Sequence, residues 1–129
     1  MTYKFTNAIV RKPNKSIHNA LSSQYLHPSY EKILEIHDNY INSIEEAGLN
    51  IILLESLEQY PDSIFVEDPA LIFKNNIIIL NPSDVTRNGE AKIIKNEISK
   101  YFENIFVVEK GTIEGGDILN INNHFIIGL

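Results

Sequence analysis

The chain has 129 residues, 43% of them hydrophobic and 22% charged, with 17 acids against 11 bases and a formal charge of -6. That length suits one domain with a buried core, the composition excludes a disordered chain, and the acidic balance argues against a nucleic-acid partner while mildly favouring cations. There is no cysteine, which excludes disulfides, thiolate zinc sites and thiol nucleophiles within these residues.

The first residues, Met1 to Val10, lack the long apolar core of a signal peptide. The longest aliphatic run, Ile77-Ile78-Ile79-Leu80, is too short to span a bilayer, so a cytoplasmic location without membrane contact is expected. Ala8-Ile9-Val10 reads as a buried strand, broken by Lys12-Pro13. Asn14 to Ser29 reads as a loop with a helical turn. Ser29 then caps a helix whose Tyr30, Ile33, Leu34, His37, Ile41 and Ile44 recur on one apolar face, and Gly48 ends it. Asn50 to Leu54 is strand-like, and Glu55 to Pro61 is a connection. Ile64-Phe65-Val66 and Ala70-Leu71-Ile72-Phe73 bracket the acidic pair Glu67-Asp68. Asn75-Asn76 is placed to turn the chain into Ile77 to Leu80 as a hairpin.

Beyond the loop Asn81 to Asn88, Gly89 opens a second helix with Ala91, Ile94, Ile98 and Tyr101 inward. Ile105 to Val108 reads as a strand, and Gly111 to Asp117 as a glycine-rich acidic turn. A last hairpin joins Ile118-Leu119-Asn120-Ile121 to Phe125-Ile126-Ile127 around Asn122-Asn123. Two loosely similar units of roughly 50 residues follow one another, each a helix, a strand and a hairpin.

Three stretches carry polar chemistry. Pro61-Asp62-Ser63-Ile64-Phe65-Val66-Glu67-Asp68 sets three carboxylates among apolar residues expected to be buried. Carboxylates at a core's edge call for a cationic partner or a set of hydrogen-bond donors, since an unpaired buried charge is costly. A guanidinium, planar and always charged, fits them in forked pairs. The competing reading is a structural salt bridge to an Arg or Lys of this chain. In Thr112-Ile113-Glu114-Gly115-Gly116-Asp117 the glycines allow a sharp turn or a close backbone approach. In Thr86-Arg87-Asn88-Gly89-Glu90, Arg87 could clamp a carboxylate, or simply sit at the surface near a helix start. His37, on the apolar helix face, reads as a core histidine. His18, His27 and His124 show no metal-ligand spacing. A carboxylate metal site from Glu67, Asp68, Glu114 and Asp117 ranks below the guanidinium reading, because no calcium-loop spacing is present.

Taken in order, Ala8 to Pro13, Ser16 to Leu21, His37 to Tyr40, Pro61-Asp62, Phe65 to Asp68, Arg87 to Glu90, Glu114 to Leu119 and Phe125 to Leu129 resemble the dimethylarginine dimethylaminohydrolases. These belong to the wider arginine-deiminase and amidinotransferase superfamily. The resemblance implies an α/β fold, a partial pentein-like propeller of ββαβ modules, of which residues 1–129 would form a single N-terminal part with about two and a half of five blades. It implies a cofactor-free hydrolase, acting on the guanidino group of methylated arginine to give citrulline and a methylamine through a cysteine covalent intermediate. Carried across by position, Asp68 grips the guanidino nitrogens, and Asp62 and Glu67 line the amino-acid end and the pocket wall. Arg87 holds the substrate carboxylate, Leu21 closes over the pocket, and Glu114 orients the catalytic histidine.

That histidine, a second substrate arginine and the nucleophilic cysteine fall later in the family's sequence than Leu129. The chain alone is therefore expected to be inactive and to meet a complementary half or a second copy of itself. The alternative is a catalytically silent guanidine-binding or self-associating α/β module, or a plain α/β domain whose acids are structural.

Overall fold

The computed structural model describes residues 5–22, 29–121 and 124–128. The expectations for His27 and for the Asn122-Asn123 turn lie outside these. The chain clusters into two compact units dividing between Phe65 and Val66.

In the first unit, strand β1 (Asn7–Arg11) pairs in parallel with β2 (Asn50–Leu54), with Ile9 opposite Ile52 and Val10 opposite Leu53. Parallel strands need a long crossover, and helix α1 (Tyr30–Glu46) supplies it. Ser29 caps α1, its hydroxyl accepting from the Lys32 amide, and Gly48 at φ 88° ends it. The expected face is the one turned inward. Ile33, Leu34, Ile41 and Ile44 are half-buried and His37 is buried, whereas Ile36 and Tyr40 on the other faces are exposed. Burial pushes the His37 imidazole below its usual pKa, while the Asp38 charge and a hydrogen bond with the Arg11 backbone work the other way. The loop after β1 contains a short 3-10 helix, Lys15–Asn19, as the helical turn expected there.

The second unit contains a complete ββαβ sequence. β3 (Ala70–Phe73) runs antiparallel to β4 (Asn76–Ile79), helix α2 (Glu90–Ile98) crosses over, and β5 (Asn104–Val107) joins β4 in parallel. The hairpin turns one residue earlier than expected, at Lys74-Asn75, with Lys74 at φ 55°. Asn76 is drawn into the strand because it pairs with Phe73 and Asn104: its amide donates to the Phe73 carbonyl at 3.1 Å and its oxygen accepts from Asn104 at 2.9 Å.

Ile77 and Ile79 of β4, Leu80, Ala70 and the α2 residues Ile94 and Ile98 are buried in this unit, with Pro69 beside Ala70. Tyr101 departs from expectation. The α-helix ends at Ile98, and a 3-10 turn over Ser99–Tyr101 carries the ring off the inner face, leaving it exposed. Ile64-Phe65-Val66 forms no strand. The segment is a run of turns closed by Ser63 N–H to Tyr60 O and Phe65 N–H to Asp62 O, and Phe65 is exposed. A hairpin of β6 (Ile118–Ile121) and β7 (His124–Ile127) follows, with Leu119 opposite Ile126. Phe125 meets Phe73 edge to face at 5.3 Å. No helix among the described residues is long and apolar enough to cross a membrane.

Candidate functional site

The polar residues singled out in the sequence fall into two groups, one in each unit. In the first unit Asp62 is buried, and both its carboxylate oxygens accept from the Leu21 amide, at 3.1 and 3.2 Å. The Leu21 side chain is exposed, so what holds Leu21 is its backbone. The same stretch of chain is fastened at two further points. The Glu58 carboxylate accepts from the Lys15 and Ser16 amides, and the fully buried Asn14 donates to Ser63 Oγ at 3.1 Å and to the Tyr60 carbonyl at 2.9 Å. Asn14, Lys15, Ser16 and Leu21 are thus each tied to the connection after β2.

In the second unit three stretches separated in sequence come together. Arg87 sits in a 3-10 turn, Val85–Arg87, whose start is capped by Asp84: its Oδ1 accepts from the Thr86 amide at 2.8 Å and from the Thr86 hydroxyl at 2.7 Å. These bonds, the hydroxyl's foremost, hold the Asp84 carboxyl below its usual pKa. The turn points the Arg87 guanidinium inward, where it is 5% exposed. Nε and Nη2 donate to the two oxygens of Glu90 at 3.1 and 2.8 Å, and Nη1 donates to the Asp68 carboxylate. Burial opposes the charge on Arg87, but the hydrogen bonds and charges of Glu90, then of Asp68, outweigh it and raise the guanidinium's pKa further.

The Glu114–Asp117 stretch lies beside this pair. The Gly115 amide donates to the Asp68 carbonyl at 3.1 Å, and a methyl group at Gly115 would collide with the Glu67 carbonyl. This is a close backbone approach of the kind the adjacent glycines suggest. Asp117 accepts from the Glu114 amide at 3.1 Å, which fixes the turn just ahead of β6.

Asp68, Arg87, Glu67 and Glu114 are therefore brought into one unit, with Glu67 exposed and Glu114 half-buried. The salt bridge weighed as the competing reading is what Asp68 makes, and its cation is Arg87 itself. The apolar flank expected around the acids is incomplete, since Phe65 is exposed and Ile64 and Val66 are only half-buried. Glu90 is the residue that sequence reasoning missed, although the signal was available. An Arg and a Glu three apart at a helix start lie on the same side, and Glu90 is 3% exposed. Among the described residues, no group of three or more His, Asp or Glu side chains is arranged to hold a metal ion.

No protein-family model matches the chain. It is 37% identical to the dimethylarginine dimethylaminohydrolase of Pseudomonas aeruginosa over 96% of its own length and 50% of that protein. The Streptomyces coelicolor enzyme of the same name is 28% identical, over 94% of this chain and 48% of that one. The structure of a cysteine-to-serine mutant of the Pseudomonas aeruginosa enzyme complexed with citrulline superposes at a TM-score of 0.93, covering 98% of this chain and 51% of that one. The N-terminal domain of a cyanobacterial arginine dihydrolase, at 17% identity and a TM-score of 0.74, shares the fold alone. The likeness to the dimethylarginine dimethylaminohydrolases read from the motifs therefore holds along nearly the whole chain. The chain spans about half the length of the curated relatives it matches.

Proposed function

With that likeness as the premise, we propose that this chain is the substrate-gripping part of a hydrolase acting on the guanidino group of methylated arginine, to give citrulline and a methylamine. The observation that carries the reading is the 37% identity to a dimethylarginine dimethylaminohydrolase over 96% of this chain, which outweighs the pairing of Asp68 with Arg87 that the competing salt-bridge reading expected. Asp68 is also the open end of that pair, at 23% exposure against 5% for Arg87, so an incoming head group has a path to it. In this reading the substrate guanidinium replaces Arg87 Nη1 on Asp68, and Arg87 turns its released donor to the substrate carboxylate. Glu67 lines the pocket wall in this unit, while Asp62 and Leu21, in the other unit, keep the roles that the resemblance gives them, with Asp62 holding the Leu21 amide. Glu114, set by the turn next to Gly115, orients a histidine.

The chemistry of the reading follows from the substrate. Resonance makes the central guanidinium carbon a poor electrophile, so carboxylates must orient it for a thiolate to add. The methylamine leaves with a proton from the histidine, and water then cleaves the thiouronium to give citrulline. The 129 residues contain no thiol, so the nucleophile lies outside them and this chain alone turns nothing over. The complete ββαβ module, the βαβ ahead of it and the hairpin behind it support two and a half blades of a five-bladed pentein propeller.

A second reading, a self-associating or silent guanidine-binding module, is favoured by the apolar strands that remain uncovered. Phe106, Leu119, Ile126 and Ile127 are each at least half exposed. A complementary half of a propeller and a second copy of the chain would both cover such strands.

Calorimetric titration of the chain with NG,NG-dimethyl-L-arginine tests the proposal. Binding is expected, weakened by about tenfold or more in Asp68→Asn, the worth of one charge-assisted contact, with no citrulline formed. A wild-type chain that fails to bind, or an Asp68→Asn variant that binds equally well, would overturn it.

A further inference from the structure

Glu90 has no part in the roles above, yet it holds most of Arg87. It is 3% exposed and takes both Nε and Nη2 in a fork, whereas Asp68 is 23% exposed and is reached through Nη1. One guanidinium carries one positive charge, and the two carboxylates carry two negatives, so these three side chains sum to a single negative charge. The buried, forked contact is the stronger of the two, because geometry and low dielectric both favour it. The partly wetted contact is the weaker. A second cation that reaches this group therefore meets an uncompensated charge at the Asp68 end.

We infer that Glu90 is a positioning residue for guanidinium binding: as the resident counter-ion of Arg87 it keeps Asp68 exchangeable, so that an external guanidinium can take Arg87's place there. Removing the Glu90 charge leaves Arg87 with Asp68 as its carboxylate in this group. The Arg87–Asp68 contact then no longer competes with Glu90 for the guanidinium, and an incoming cation has to break it. The effect is greatest for charged head groups. A neutral isostere shares the carboxylate contact with Arg87 but gains nothing from the surplus charge, so it loses less when that charge is gone.

This inference rests on the guanidine-binding reading, and two measurements keep the two separable. The first compares L-arginine with L-citrulline, which differ at the head group in charge, by titration into wild type, Glu90→Gln and Glu90→Asp. Glu90→Gln is expected to lower L-arginine affinity by about tenfold more than citrulline affinity, and Glu90→Asp is expected to restore part of the preference. Equal losses for both ligands, or no loss for either, would overturn the inference.

The second measurement needs no ligand. Hydrogen exchange at the Arg87 Nε–H, followed by NMR, is expected to be slow in wild type and in Asp68→Asn and at least about tenfold faster in Glu90→Gln. Unchanged exchange in Glu90→Gln would overturn the anchoring by itself. Should Glu90→Gln fail to fold, the same two readouts on Glu90→Asp decide the matter, since a shortened acid loosens the fork without removing the charge. If the wild type binds neither amino acid, the guanidine-binding reading falls and takes the ligand arm with it, and the exchange comparison still decides whether Glu90 anchors Arg87.

Discussion

Gly115 admits no side chain because the Glu67 carbonyl lies where a Cβ would go, while its neighbour Gly116 has open space around that position. Gly115→Ala should therefore destabilise the chain by about 1–3 kcal/mol, the usual cost of overpacking. Gly116→Ala should change stability by less than about 0.5 kcal/mol. Urea midpoints of the two variants check this, and equal midpoints would contradict the close approach. His37 makes a second residue-scale prediction. Its folded pKa is lowered, chiefly by burial, so the unfolded chain binds the proton more readily. The stability it contributes is present above the unfolded imidazole value near pH 6.5 and is lost as the pH falls below it. Denaturation between about pH 7.5 and 5.5 should show that slope in wild type and a flatter one in His37→Gln.

At the scale of elements, legibility followed periodicity. The inner face of α1 could be read because six apolar positions recur at helical spacing, and helical geometry alone turns them to one side. The hairpin of β3 and β4 could be read except for its turn. Two adjacent asparagines are the commoner turn signal, but pairing of Asn76 with both neighbouring strands outweighed it and left Lys74 in the left-handed conformation. Tyr101 was misplaced because the helix stops a turn before the pattern does. Local preference cannot register an early stop that is set by how the chain must enter β5. The Asp68–Arg87–Glu90 group was half legible. Asp68 and Arg87 stood out singly and Glu90 did not, and their meeting depends on a 3-10 turn fixed by Asp84. β4 carries the unit's core, with Ile77 fully buried. Ile77→Ala should cost about 2–5 kcal/mol, whereas Val85→Ala, on an exposed residue, should cost little, and their thermal midpoints check the difference.

At the scale of the whole molecule, the second unit leaves a run of apolar residues uncovered. Every residue of β5 and β7 is exposed, and Leu119 and Ile126, cross-strand partners, are both more than half exposed. Surfaces of this kind associate, so sedimentation velocity should show concentration-dependent association of the wild type. The double variant Leu119→Lys, Ile126→Lys should shift the chain towards monomer with its circular dichroism unchanged. A wild type that stays monomeric and cooperatively folded at tens of micromolar would contradict this. The central claim is more local: Asp68 gives up a guanidinium of its own chain for one that arrives from outside. A crystal structure of the chain grown with saturating NG,NG-dimethyl-L-arginine tests it most directly. The expected result is the ligand's guanidino nitrogens on the Asp68 carboxylate, with Arg87 still forked on Glu90 and turned to the ligand's carboxylate. Asp68 still closed on Arg87, with the ligand absent or bound elsewhere, would contradict it.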